Sequence, residues 1–379
     1  MLDLGPMNGH RHGIMKSWER RQFLTTAAAV GASSLYRPVM GAAKAEPIKY
    51  LQIGTAHAHA NKIEVYKASP DWDVVGVVEP DPSRVEAAKA SKLYGDVPFF
   101  SLEDGLGIEG LKVVGIETEV KDLLSYAEKA VDAGYHIHLD KPAGESFSHF
   151  KRIYEKAERQ NLTIQMGYMY RFNPAVVFMR DCLKKGWLGE PFEVHTVMSK
   201  VVPPTGRAGL DDYDGGIMFE LGCHIVDLTV GMLGKPDAIK AYPRRVIEND
   251  SDSLIDNMMA VYEYPKATAT VRSTAVEVEG FARRHFVLCG TEGTCHIQPL
   301  DKPTMRLALS KPQDGYKKGY QELVFSPPEV PGFGPYSRYV GDAADLARIV
   351  RGEKESDWGM EHDLAVQDAV LRSAGLEPG

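Results

Sequence analysis

Three stretches of this chain carry residue types whose spacing could do chemistry. In HIHLDKPAG, Asp140, Lys141 and Pro142 close an apolar run. A lysine there can donate to a substrate hydroxyl and stabilise developing alkoxide charge, while the proline fixes how the chain leaves the strand. In DGGIMFELGCHIVDL, Glu220 and His224 stand four apart. That spacing puts them on one helix face, where a carboxylate and an imidazole could form an acid/base pair. In YLQIGTAHAHA the spacing of a phosphate-binding turn falls on Gly54, Ala56 and His59, so the first glycine is kept, the second position is small and the third is lost. Thr55 and His57 flank the same turn. His57 and His59 also raise a metal reading, but ligation needs a third ligand and converging side chains. In a turn entering a helix, residues two apart point to different sides, so no metal is expected.

A dinucleotide turn needs an acidic partner at the end of the second strand. VVGVVEPDPSR supplies Glu79, 25 residues beyond Gly54, where a carboxylate can hydrogen-bond both adenosine ribose hydroxyls and repel a 2′-phosphate. The cofactor expected is therefore NAD(H), preferred over NADP(H). Tyr170 and Arg171 in GYMYRFNP, with Tyr213 and Asp214 just before a glycine pair, are candidates for contact with substrate hydroxyls or carboxylates.

Positioning these residues takes two domains, and 379 residues suffice for them. From Ile48, short apolar runs alternate with helix-period segments. Strands are predicted at Lys49–Ile53, Val74–Val78, Lys112–Ile116, His136–Leu139 and Thr163–Met166, with helices near 58–69, 81–92, 121–133 and 147–160 between them. This is the pattern of a doubly wound α/β domain with a parallel sheet over residues 46–167. After a helix at 174–186, runs such as PFEVHTVMSKV and NMMAVYEYPKATATVRSTAVEV alternate at period two. They predict an α+β domain over 168–379 with a large, open, mostly antiparallel sheet. One helix at 215–233 interrupts it, and helices at 337–352 and 360–373 close the chain and can pack back on the first domain. A formal charge of −8 leaves no basic stripe for a phosphate backbone, so nucleic acid is not an expected partner.

Together, the glycine turn, the acidic end of strand two, DKP, GYMYRFNPA and GGIMFELGCHIVDL resemble the Gfo/Idh/MocA family of glucose-fructose oxidoreductase and inositol dehydrogenase relatives. The likeness runs from about residue 47 to 375. It implies a Rossmann domain, an open-sheet substrate domain, and hydride transfer between nicotinamide and a sugar or polyol carbon. Lys141 would take the place of the lysine in the family's E-K-P, and Glu220 and His224 that of its D-x-x-x-H, with His224 as the base. A homodimer or homotetramer is implied as well. The family's T-P-N-x-x-H falls on ETEVKDLL, where Thr118 is kept and Glu119, Val120 and Leu123 replace Pro, Asn and His. Glu117 or Glu119 there would face the nicotinamide end of the cofactor or solvent.

Residues 1–45 read as an export segment. Arg20-Arg21 followed by Gln22, Phe23 and Leu24, a mildly apolar Ala-rich run and Ala43-Lys44-Ala45 resemble a twin-arginine signal. Cleavage is expected after Ala45, translation from Met15, and a periplasmic or otherwise exported product that uses the twin-arginine machinery. No membrane span is expected in the mature chain. Two other functions share these motifs: an NAD-assisted glycoside hydrolase working by oxidation and elimination, and a non-redox sugar-binding protein or lyase on the same scaffold.

Overall fold

The computed structural model describes residues 46–249, 251–326 and 337–378; the export segment lies outside them. The first half contains β1 (Ile48–Ile53), α1 (Ile63–Ala68), β2 (Trp72–Val78), α2 (Pro82–Ala90), α3 (Leu102–Leu106), β3 (Leu111–Ile116), α4 (Leu123–Asp132), β4 (His136–Leu139), α5 (Phe147–Arg159) and β5 (Ile164–Met166). The five strands form one parallel sheet in the order β2-β1-β3-β4-β5. Strands such as LKVVGI are apolar on both faces because helices cover both faces of a parallel sheet. The order reverses between β1 and β3, so a crevice opens outside their carboxyl ends. β1 and β3 approach closely through Gly115, where a Cβ would stand 1.8 Å from the Tyr50 hydroxyl.

The second half begins with α6 (Pro174–Lys184), whose Asn173 cap accepts from the Ala175 N–H. It continues through β6 (Pro191–Ser199), α7 (Pro204–Asp211), α8 (Cys223–Leu233), β7 (Ala238–Arg244), β8 (Asn257–Glu263), β9 (Thr268–Thr274), α9 (Gly280–Arg283), β10 (His285–Gly290), β11 (Gly293–Ile297), β12 (Thr304–Leu309), β13 (Gly319–Val324), α10 (Val340–Val350) and α11 (Met360–Ser373). Eight strands form a sheet in the order β13-β12-β11-β10-β6-β9-β8-β7, antiparallel except for β6 with β9. α8 is apolar around most of its surface because it lies between this sheet and α11. The last two helices reach back to the first half: at α10, Trp72 Nε1 donates to the Ala343 carbonyl (3.2 Å) and Arg351 pairs with Asp71 (2.7 Å), and from α11 the Gln367 amide donates to the Gly144 carbonyl (2.6 Å).

Two helices differ from expectation. The predicted helix at 58–69 starts late, as a 3₁₀ turn at Ala60–Lys62 followed by α1, because the His57 N–H is tied to the Glu117 carbonyl of the neighbouring strand end (3.0 Å). The helix at 215–233 opens with a π turn at Met218–Gly222 before α8. β7, α3 and α7 carry too few periodic residues to stand out in the sequence. Among the described residues no helix is long and apolar enough to cross a membrane.

Candidate active site

The predicted cofactor turn sits at the end of β1. Gly54 has φ +90°, and a Cβ on it would lie 2.6 Å from the Thr118 nitrogen, so only glycine lets the turn rest against the end of β3. Thr118 is buried beneath it. Glu79 does not stand apart awaiting a ribose. Its Oε2 accepts from the Thr55 N–H (2.8 Å) and hydroxyl (2.5 Å), and its Oε1 accepts from the Asp81 N–H (2.9 Å), so it also closes the turn. The amides of Ala56 and Ala58 have no acceptor among the described residues and remain to meet an anion.

Beneath this turn the structure corrects the sequence reading of the two histidines. His57 and His59 do not diverge; both reach Asp140, at 3.3 Å from His57 Nδ1 to Oδ2 and 3.1 Å from His59 Nδ1 to Oδ1. Both lie in the turn that precedes the 3₁₀ segment, with the His57 N–H held by the Glu117 carbonyl (3.0 Å) and His59 at the N-cap position. Lys62, which the sequence reading missed, is 1% exposed and places its ammonium 2.6 Å from Asp140, 3.0 Å from Glu117 and 2.7 Å from His138 Nε2. Burial alone would neutralise this lysine, but Asp140 and Glu117 outweigh it and hold its pKa above the usual range. Burial and the neighbouring Asp140 drive the Glu117 carboxyl up. For Asp140, burial is outweighed by His57, Lys62 and His59, so it keeps the charge. Glu117 thus faces neither solvent nor an open nicotinamide pocket; it is fully buried. Glu119 pairs at the surface with Lys121 (2.7 Å).

Lys141 follows directly, its N–H donating to Asp140 Oδ1 (2.6 Å). Its ammonium crosses to the π turn of the second half, donating to the Glu220 carbonyl (2.8 Å) and lying 3.6 Å from the Glu220 carboxylate. Lys200, at the end of β6 and unforeseen in the sequence, approaches that carboxylate from the other side (3.4 Å). Burial would raise the Glu220 pKa, but Lys141 and Lys200 win and hold it at about 2. The expected Glu220–His224 pairing is therefore corrected. Glu220 serves the lysines while His224 sits in an aromatic frame, its ring 5.2 Å from Tyr170 and 5.6 Å from His59. Burial, reinforced by Lys141 and His59, pushes the His224 pKa well down, and its Nδ1 has no hydrogen-bond partner among the described residues. A neutral imidazole can take a proton.

Tyr170 joins this pocket, its hydroxyl donating to Asp301 (2.6 Å), which Arg284 and Arg338 also hold. Arg171 does not. It is 1% exposed and spends its guanidinium on Asp227 and Asp363, 2.6 Å from each, tying the YRFNP turn to α8 and α11. Adjacent residues on a tight turn face opposite ways, so the tyrosine lines the pocket and the arginine the core. Tyr213 is half-buried against Phe219 (5.9 Å).

The two halves of the chain each match a known family model. Residues 48–168 match the model described as "Oxidoreductase family, NAD-binding Rossmann fold" and residues 176–296 the "GFO/IDH/MocA C-terminal domain". The chain belongs to the Gfo/Idh/MocA family. Scyllo-inositol 2-dehydrogenase (NAD(+)) of Bacillus subtilis is 25% identical over 58% of this chain and 65% of its own. D-xylose 1-dehydrogenase (NADP(+)) 2 of Haloferax volcanii is 24% identical over 85% and 96%. Other curated relatives match over 54% to 65% of their own length. Among solved structures, UDP-N-acetylglucosamine 3-dehydrogenase from Acidithiobacillus ferrooxidans superposes with TM-score 0.70 at 16% identity, covering 88% of this chain and 98% of its own. An Agrobacterium radiobacter oxidoreductase in complex with NAD+, L-tartaric acid and magnesium gives 0.72 at 18%, covering 86% and 96%. For this Gfo/Idh/MocA chain the Gly54 turn, its two unengaged amides and the Glu79 carboxylate fit a dinucleotide.

Proposed function

We propose that this chain is an exported NAD(H)-dependent oxidoreductase that moves hydride between nicotinamide and a sugar or polyol carbon, with residues 46–167 as the nucleotide domain and 168–379 as the substrate domain. The observation that carries the reading is Lys141, buried at the end of β4 and reaching across to the π turn that leads into His224. NAD would be held by Gly54, Thr55, Ala56, His57, Glu79 and Thr118, and when bound it supplies the hydride acceptor. Lys141 stays protonated because Glu220 overrides its burial, so it can hold the substrate oxygen as negative charge develops there. His224, neutral, takes the hydroxyl proton. Tyr170 and Tyr213 line the approach to that oxygen.

Relatives named as sugar and polyol dehydrogenases support simple hydride transfer over glycoside cleavage or plain sugar binding. Glu79 supports NAD over NADP, although relatives of both kinds occur. The Arg20-Arg21 signal supports twin-arginine export and a periplasmic location, and the open sheet supports a homodimer or homotetramer. Mass spectrometry of ligand released from denatured native protein, together with NAD+ titration of the stripped protein, tests the reading. Release or binding of NAD is expected; a protein that neither retains NAD nor binds it at millimolar concentration overturns it.

A further inference from the structure

Around His224 the second half of the chain gathers cations that its carboxylates hold only loosely. In the filled networks of this protein the cation sits 2.6 Å from its partner: Lys62 on Asp140, and Arg171 on both Asp227 and Asp363. Beside His224 the contacts are longer. Glu220 is shared by two ammonium groups, Lys141 at 3.6 Å and Lys200 at 3.4 Å. Arg284 meets both oxygens of Asp301 at 3.3 Å, and that carboxylate also accepts from the Tyr170 hydroxyl (2.6 Å) and from Arg338 (2.9 Å).

Lys200 and Arg284 share one corner. β6 ends at Ser199, whose carbonyl accepts from Arg284 Nε (3.1 Å), and Lys200 is the next residue. The guanidinium face rests on the Phe281 ring, 3.7 Å from its centroid. Stacking of this kind leaves the N–H edge for hydrogen bonds, and Arg284 Nη2 donates to no described group. Arg284 is also among the cations that hold the His224 pKa down, which places it within electrostatic reach of that ring. The Lys200, Asp301 and Glu220 side chains are 25%, 18% and 14% exposed, so a ligand can reach the corner. Neighbouring charges cancel: Arg283 pairs with Glu277, and Lys62 with Asp140. Lys141, Lys200 and Arg284 thus face two carboxylates, Glu220 and Asp301, and positive charge is in excess. So sheltered a charge is stabilised by an anionic ligand.

We propose that the substrate is a sugar acid or polyol acid, a uronate or aldonate, whose carboxylate lies between Arg284 and Lys200 while Lys141 and His224 act on one of its hydroxyls. This rests on the oxidoreductase reading above and narrows its substrate class. A guanidinium edge matches the two oxygens of a carboxylate, so the contact orients the sugar as well as attracting it. A single excess charge suits a monoanionic carboxylate better than a phosphate dianion.

The test is calorimetric titration of the NAD+-saturated full chain, at constant ionic strength, with three matched pairs: D-glucuronate and D-glucose, D-galacturonate and D-galactose, D-gluconate and D-glucitol. Inorganic phosphate is titrated alongside. At least one acid should bind at least about 10-fold more tightly than its neutral partner. That gap should close in Arg284→Gln and narrow in Lys200→Met, with NAD+ affinity unchanged in both. Thermal melts report folding, and Lys200→Met, at a partly exposed position, decides the matter if Arg284→Gln does not fold. Neutral sugars that bind as tightly as their acids, no acid binding at millimolar concentration, phosphate binding more tightly than every acid, or a preference that the folded variants leave intact overturns the proposal. Failure of NAD+ to bind falls on the oxidoreductase reading instead, and the same titrations of the nucleotide-free chain then decide the carboxylate site.

Discussion

Replacing Arg171 with leucine separates a structural role from a substrate contact. The guanidinium makes hydrogen bonds to Asp227 at 3.0, 3.1 and 2.6 Å and one to Asp363 at 2.6 Å, all in a region with about 1% exposure. Arg171→Leu leaves two buried carboxylates without their cation. Tyr154 still donates to Asp363, and His362 lies 3.4 Å from Asp227, so compensation is partial. Removing one partner of a buried pair costs about 3–5 kcal/mol, and a network of this density belongs near 4, roughly a 6 °C loss in melting temperature for a chain of this size. Guanidinium unfolding should show the midpoint falling at unchanged slope. The triple variant Arg171→Leu, Asp227→Asn, Asp363→Asn should regain part of the loss because no uncompensated charge remains. KM for substrate, measured well below the melting transition, should stay near wild type. A stability loss under about 1 kcal/mol combined with a large rise in KM would refute the reasoning and return Arg171 to the substrate pocket.

Other outcomes follow from the same geometry. Lys141→Met should lower kcat by about 10²–10³ while NAD binding, followed by fluorescence, persists; equal loss of both would make the lysine a cofactor anchor only. Glu79→Ala should lower the ratio of NAD to NADP affinity, measured by paired titrations, and an unchanged ratio would confine Glu79 to closing the turn. His285, on the open sheet, has its pKa pushed down to about 4 by burial, with the Arg283 carbonyl opposing and His195 and His296 adding to the effect. As pH falls from about 6.5 towards 4, the unfolded chain binds a proton that the folded chain refuses, so stability declines across that window. His285→Gln should flatten that decline in melts run at several pH values, and identical curves would show that other groups set it.

The family and the broad architecture were legible in the sequence because they rest on local signals. Apolar runs of five or six residues separated by helix-period segments specify a parallel sheet, and period-two alternation specifies the half-covered second sheet, whatever the exact packing. Gly54, Lys141 and His224 could be named because a turn, a strand end and a helix face are each set by near neighbours. Partnership could not be read in this way. Nothing in the spacing of Glu220 and His224 shows that Lys141 and Lys200, the latter twenty residues earlier, will share the Glu220 carboxylate. Tyr170 and Arg171 are neighbours in sequence, yet one lines the pocket and the other anchors the core, a division decided by Asp227 and Asp363 on distant helices. The HAH stretch shows the difference most plainly. Its residue types announced possible ligands, but only the strand end carrying Asp140, 81 residues beyond His59, gives both imidazoles a common partner. Local sequence determines which groups a segment offers; the burial and convergence that give those groups charge, partners and function come from elements that meet only when the whole chain folds.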